Sequence, residues 1–327
     1  MKQRQLGHNG FKVSEVGLGC WQLGADWGNE IDKTKAFDIL NEAVNNGINF
    51  FDTADVYGDG RSETLIGEFL KISSHNIKVA TKFGRTADVY PNNYTEQTLR
   101  NCVEKSLKRL GVDCIDLLQL HCIPTEILEN GAIFNWLRLL QQEGKIAHFG
   151  ASVESVAQGL ICLEQEGLQS LQVIFNIFRQ KLVTELLPQA AKKEVGIIVR
   201  LPLASGLLSG KFNVDTEFPE NDHRNYNKNG EAFNVGETFA GLPFKTGVTL
   251  SEELKGLCPD EMSLADLSLR WILDHKAVTT IIPGASNTKH VIQNSKTSSL
   301  PQLSEKLMQD LKHFYDEKVH EHIRGVY

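Results

Sequence analysis

Nowhere in the 327 residues is there an apolar run of about 18, so the sequence offers no candidate helical membrane span. An excess of basic residues is also missing. Lys plus Arg total 34 against 41 for Asp plus Glu, a net charge of −7, so the surface repels polyanions and nucleic acid is not an expected partner. The six cysteines (Cys20, Cys102, Cys114, Cys122, Cys162, Cys258) include no C-x-x-C pair and no cluster, which argues against a zinc site or a disulfide framework and for free thiols. No metal is expected. The opening MKQRQLGHNGFKVSEVG lacks the continuous apolar stretch of a signal peptide, so a cytoplasmic protein is expected. No linker or low-complexity tract interrupts the chain, and residues 1–327 read as one domain.

What is present is a regular alternation. Short apolar runs rich in β-branched residues recur at 14–19, 48–52, 77–83, 114–121, 146–151, 171–176, 196–202 and 278–283. Between most of them lies helical periodicity, at 33–46, 62–71, 95–110, 126–143, 154–166, 184–194 and 263–275. Gly47, Gly111, Gly144, Gly167 and Gly196 stand where helices should end, and Ser263 with Asp266 forms a capping-box pattern. Strand-helix alternation implies parallel strands, and continuous apolar strands such as IDLLQL imply that both faces are covered. Eight such units close naturally into a (β/α)8 TIM barrel. An open doubly wound sheet would announce itself with G-x-G-x-x-G, whereas Gly17-Leu18-Gly19-Cys20-Trp21-Gln22-Leu23 lacks the third glycine.

Three features fall outside the repeat. Residues 3–14 alternate around Asn9-Gly10 and predict an N-terminal β-hairpin. A long loop after the seventh strand, 211–249, is rich in Asn, Asp, Glu, Gly and Phe. A C-terminal helix is predicted over 303–320.

In a barrel of this kind the chemistry sits where strands end. Asp52 ends the second strand, with Tyr57 five residues on; Lys82 stands near the end of the third; His121 ends the fourth. Alone, each has an ordinary structural reading as a cap, a turn residue or a rim residue. Together they describe a proton donor. An ammonium beside a tyrosine stabilises its phenolate and lowers its pKa, a carboxylate holds that ammonium in place, and an imidazole orients a carbonyl oxygen. Reduction of a carbonyl by hydride needs such a group at the oxygen that gains charge.

The motifs GLGCWQLG, FDTADVYGDGRSETLIG, VATKFG, DLLQLH, GKIAHFGAS, PLASGLLSGK and IIPGASNTKHVIQN span nearly the whole chain. In this combination the sequence resembles the aldo-keto reductases. The resemblance implies NAD(P)H-dependent reduction of a small aldehyde or ketone, with NADP(H) the expected cofactor and NAD(H) the alternative. It implies Tyr57 as general acid/base, completed by Asp52, Lys82 and His121. It also places Gly19, Cys20, Trp21 and Asp52 at the nicotinamide ribose, Ser152 and Gln172 at the carboxamide, and Leu203, Ser205 and Lys211 over the pyrophosphate. Gly284, Ser286, His290, Gln293 and Asn294 fall at the 2′-phosphate and adenine.

Departures from the family pattern bear on these expectations. Val153 stands where many members carry Asn, and Arg200 stands where an aromatic often stacks on the nicotinamide. Arg200 reads equally as a stacking or phosphate-binding cation and as a strand-end arginine paired to a carboxylate. Arg224, in the long loop, is a candidate for the adenosine end, with a solvated loop charge as its alternative. Trp21, Trp27, Tyr57, Phe83, Tyr90 and Phe239 are candidates for an apolar substrate wall and, equally, for local packing of the loops. Two other functions compete. One is a cofactor-sensing regulatory subunit similar to potassium-channel β subunits; the other is a Schiff-base aldolase using Lys82, which Asp52 would oppose by keeping the lysine protonated.

Overall fold

The computed structural model describes residues 1–24 and 31–327. Trp27 lies outside them. A short hairpin, β1 (Gln3–Gln5) and β2 (Lys12–Ser14), precedes eight parallel strands: β3 (Leu18–Gly19), β4 (Phe50–Asp52), β5 (Lys78–Phe83), β6 (Ile115–His121), β7 (Ile146–Ser152), β8 (Leu168–Ile174), β9 (Gly196–Arg200) and β10 (Val278–Ile281). Neighbours pair in sequence order from β3 to β10. The ring closes through parallel bridges Val16 to Ile281 and Gly19 to Gly284, including a 2.8 Å bond from Gly17 N–H to the Ile281 carbonyl. The expected TIM barrel is therefore the observed fold.

The helices are α1 (Lys33–Asn45), α2 (Arg61–Leu70), α3 (Glu96–Leu110), α4 (Thr125–Asn130), α5 (Ala132–Gln142), α6 (Val156–Leu163), α7 (Leu186–Lys192), α8 (His223–Tyr226), α9 (Phe244–Lys255), α10 (Leu264–Asp274), α11 (Thr288–Lys296) and α12 (Glu305–Phe314). Among the described residues no helix is long and apolar enough to cross a membrane. Several boundaries differ from the sequence reading. The stretch 126–143 is two helices, because Gly131 takes a left-handed φ of 75° between α4 and α5. Gly196 opens β9 rather than ending a helix; Glu194, at φ 55°, makes that turn. The C-terminal helix ends its α-helical part at Phe314 and continues as wider and tighter turns to His322. The long excursion after β9 is shorter than expected and carries structure of its own, since α8 lies within it and α9 begins at Phe244.

Period-two alternation stacks the barrel interior in layers. An apolar layer includes Phe50, Ala80, Leu117 and Ile198, and the hairpin closes it from below with Leu6, Val13 and Phe11. Two residues further along four of these strands stand Asp52, Lys82, Gln119 and Arg200, so each points to the same interior face as the apolar residue beneath it. The apolar layer insulates the floor of a polar one.

The opposite end is tied by the C-terminus. Arg324 donates to the carbonyls of Lys228, Gly241 and Leu242 and to Asn229 Oδ1 at 2.8–3.2 Å. The fully buried Arg179 reaches the carbonyls of Ala240 and Val326. The last residues thus hold the excursion against the mouth.

Candidate active site

Lys82 Nζ lies 2.5 Å from Asp52 Oδ1, 2.5 Å from the Thr53 carbonyl and 3.4 Å from the Tyr57 hydroxyl. Lys82 and Asp52 are almost wholly buried. The other carboxylate oxygen of Asp52 accepts from Gln172 at 2.7 Å and from Gln119 at 3.1 Å. This buried pair is therefore hydrogen-bonded on both sides, which such a pair needs to survive desolvation. Gln119 is a site residue that the sequence analysis does not single out. Its signal is a lone amide in an apolar strand at the same parity as His121.

Tyr57 arrives from the loop after β4. Gly58, at φ 62°, packs against Gly24 so closely that an added Cβ would sit 2.5 Å from the Gly24 carbonyl oxygen. The two bare backbones seat the Tyr57 loop against Trp21–Gly24, and the Trp21 ring stacks on Tyr57 with centroids 5.9 Å apart. His121 stands edge-on to Tyr57 at 6.0 Å, its buried Nδ1 without a hydrogen-bond partner.

The electrostatics correct one expectation. Burial outweighs the neighbouring Lys82 charge and pushes Tyr57 up to about 12, rather than down, so the phenol holds its proton across the ordinary pH range. Burial opposes the Lys82 ammonium, but Asp52 overrides it and the lysine stays charged. A charged amine cannot attack a carbonyl, so the arrangement disfavours the Schiff-base reading. Burial, then Lys82, Arg85 and Arg200, hold His121 well below 6.5 as a neutral ring. At neutral pH the site thus presents a protonated phenol and a neutral imidazole.

These shifts have a consequence for stability. His121, His223 (to about 4) and His275 are all depressed by burial, so each contributes stability above about 6.5 that is lost as pH falls through the folded value. Asp55, pushed up to about 7 by burial and Glu63, works in the opposite sense over the same range, but three histidines outweigh it. The thermal midpoint should therefore fall between pH 7 and pH 5; a flat profile in calorimetry would contradict the assignment.

Above the four side chains opens a cavity of about 800 Å³. Asp52, Tyr57 and His121 line it, and so do Gly19, Cys20, Trp21, Gln172, Arg200, Leu203, Ser205, Lys211, Arg224, Gly284, Ser286, His290, Gln293 and Asn294. Ser152 does not; it is buried behind the wall, 3.4 Å from Gln172 Oε1. Ser205 spends its hydroxyl on the excursion, bonding the backbone of Glu237 and Phe239. Cys20 contributes backbone, its N–H bonding the Asp52 carbonyl, while burial pushes its thiol far up and keeps it unreactive. Arg224 is gripped by the buried Asp222 at 2.6 and 2.9 Å, lies over the Phe218 ring, and still borders the cavity.

The aromatic candidates divide between the two readings. Phe83 and Phe239 belong to the core and Tyr90 points to solvent, which leaves Trp21 and Tyr57, joined by Phe212. Lys35, Lys289 and Glu237 also border the cavity, beyond the residues that the sequence singles out. Lys35, Lys211 and Lys289 have no ion-pair partner among the described residues, and both Lys211 and Lys35 act electrostatically on His290, which brackets one end of the cavity with positive charge.

One group of possible metal donors occurs among the described residues: Cys122, Glu154 and Glu237. Its chemistry does not fit a metal. Arg85 lies 2.7 Å from Glu154 and Arg200 lies 3.4 Å from both Glu237 and the Cys122 sulfur, so guanidinium groups already occupy the cation's place.

The profile of the aldo/keto reductase family matches residues 15–316. The chain belongs to the aldo/keto reductase family. This reductase is similar to the uncharacterized oxidoreductase YqkF of Bacillus subtilis, 30% identical over 322 residues, 95% of this chain and 96% of that protein. It is 29% identical to the NADH-specific methylglyoxal reductase of Escherichia coli over 315 residues, 90% of this chain and 92% of that one. Among solved structures it is similar to the holo form of aldo-keto reductase AKR11C1 from Bacillus halodurans, with a TM-score of 0.79 and 27% identity, covering 100% of this chain and 98% of that one. The protein is thus an oxidoreductase acting on carbonyls, of a family that uses nicotinamide cofactors.

Proposed function

We propose that the protein reduces a small aldehyde or ketone to the alcohol, reversibly, with Tyr57 as general acid/base and NADP(H) as the preferred dinucleotide, the whole chain acting as one catalytic domain. The observation that carries this reading is the meeting of the Tyr57 hydroxyl, Lys82 and His121 at the closed end of a cavity whose far end is cationic.

The cavity fits a dinucleotide. Its volume lies inside the range of roughly 300–1,000 Å³ usual for ligand sites. Gly19 and Gly284 line it with bare backbone; packing within the barrel wall requires glycine at both, since an added Cβ would meet the Ile282 carbonyl at 2.6 Å or Gln22 at 2.2 Å. Gln22 borders the cavity as well, its amide packed against the bare backbone of Gly284. When bound, the nicotinamide supplies the hydride. Gly19, Cys20, Trp21, Ser152 and Gln172 hold and orient that end, Ser152 through Gln172. Leu203, Ser205 and Lys211 cover the middle, and Gly284, Ser286, His290, Gln293, Asn294 and Arg224 meet the adenosine.

The chain's own part in the reaction is acid-base. His121, neutral, donates a hydrogen bond that fixes the carbonyl oxygen. Tyr57 gives its proton to that oxygen as charge develops there, and Lys82, locked by Asp52, stabilises the resulting phenolate. A pKa of about 12 suits a donor that must not ionise beforehand.

Two experiments test the reading. Cofactor carrying deuterium at the transferable position should deliver it to the carbinol carbon; product without label would sink the proposed transfer. Arg224→Ala should raise the dissociation constant for NADPH several-fold more than that for NADH, because only the former carries the 2′-phosphate an arginine can pair with. Equal weakening of both would remove Arg224 from the adenosine site and weaken the case for NADP(H).

A further inference from the structure

The corner of the cavity beside His121 holds a buried charge network that the acid-base machinery does not use. Glu237, from the excursion, sits between two arginines: its Oε2 is 3.4 Å from Arg200 Nη1 and its Oε1 is 3.4 Å from Arg85 Nη1. Both side chains of the Arg200–Glu237 pair are about nine-tenths buried, and both residues border the cavity. Such contacts are long for charge-assisted hydrogen bonds, which close to roughly 2.7–2.9 Å when they satisfy each other. Accordingly, Glu237 Oε1, Arg200 Nε and Arg85 Nε are all buried without a hydrogen-bond partner. Buried polar atoms are costly when unmatched, so the corner is under-bonded. What a ligand in the cavity can reach is the exposed tenth of the Arg200 and Glu237 side chains, and a group bridging the two would add the bonding that their 3.4 Å contact leaves unmade.

The donor set defines the ligand. It offers guanidinium N–H as donor and a carboxylate oxygen as acceptor, side by side, which is the complement of a hydroxyl. A second carboxylate would meet the first: Glu237 is kept ionised against its burial by Arg200 and Arg85, and Glu154 lies beside it. An apolar group would strip water from the exposed parts of this pair and give nothing back.

We infer that the Arg200–Glu237 pair makes the enzyme selective for hydroxylated carbonyl substrates, with a hydroxyl next to the carbonyl donating to Glu237 and accepting from Arg200. This rests on the carbonyl-reductase reading and names its substrate class. Glu237 acts on the substrate's neighbouring carbon and takes no part in proton transfer.

The test compares hydroxyacetone, its near-isostere butanone and the anionic pyruvate, as kcat/KM with NADPH, in the wild-type enzyme and in Glu237→Gln. The wild-type order should be hydroxyacetone, then butanone, then pyruvate. Because hydroxyacetone is intrinsically the more electrophilic, the decisive quantity is the change on substitution. In Glu237→Gln the hydroxyacetone-to-butanone ratio should fall about tenfold, while the pyruvate-to-butanone ratio rises, since removing one negative charge leaves the two arginines in excess. A merely structural role would lower all three together, and that result overturns the inference. Unchanged ratios with a raised KM for NADPH overturn it too and give the corner to the cofactor. Should Glu237→Gln not fold, Arg200→Lys is read in the same way, its hydroxyacetone-to-butanone ratio falling as the guanidinium donor is lost. A wild-type enzyme that turns over butanone and hydroxyacetone equally sinks the inference alone; one that reduces no carbonyl under any condition sinks both it and the reading beneath.

Discussion

Tyr57→Phe should lower kcat/KM for carbonyl reduction by roughly 10² to 10⁴, the usual contribution of a positioned general acid, while the dissociation constant for NADPH stays within a few-fold. The substitution removes one oxygen and keeps the ring, so the stack on Trp21 at 5.9 Å and the edge contact with His121 both survive. What is lost is the only hydroxyl within reach of Lys82 Nζ among the described contacts. A fluorescence titration of cofactor alongside steady-state kinetics separates the two effects. Turnover near the wild-type level would remove Tyr57 from the chemistry, whatever the fold.

Lys82→Met should be comparably damaging to turnover and, unlike Tyr57→Phe, damaging to the fold. The methionine leaves Asp52 with two amide donors and no cation in a site almost closed to water, a situation that costs about 3–5 kcal/mol. Adding Asp52→Asn relieves the stranded charge, so the double variant should recover much of the thermal midpoint without recovering turnover. The reverse reaction carries a further signature. Oxidation of an alcohol requires Tyr57 to accept a proton, and Lys82 is the neighbour that lowers its pKa against burial. Without the lysine, the pH needed for oxidation should move upward. A Lys82→Met enzyme with full activity and an unshifted oxidation profile would refute the arrangement.

How much of this was legible in the sequence follows from what positions each group. Asp52, Lys82 and His121 sit on strands, where alternation fixes which face a side chain takes, and polar residues inside apolar runs stand out. Tyr57 was legible only together with them, because its height depends on the contact between Gly58 and Gly24, which no local pattern encodes. Glu237 was invisible. It lies in a stretch without periodicity, and its place at the mouth is set by remote ties from Ser205 and from the C-terminal arginine. Lys35 and Lys289 come from helices near opposite ends of the chain that meet only because the ring closes between β3 and β10. The pKa of Tyr57 was misjudged for a similar reason: a charged neighbour can be read from sequence, whereas depth of burial cannot.

Lys2 and Tyr327 are attached to opposite poles of the barrel. Lys2 bonds Ser298 and the hairpin seals the base, while Tyr327 lies over Arg179 and its carbonyl accepts from Lys181, beside the segment that delivers Glu237. A fusion partner or affinity tag joined at the amino end is therefore carried on the pole remote from the chemistry. The same cargo joined after Tyr327 pulls on the clasp that seats the excursion, so a carboxy-terminal fusion becomes a handle on substrate selection, and kinetic comparisons between differently tagged preparations acquire a structural meaning.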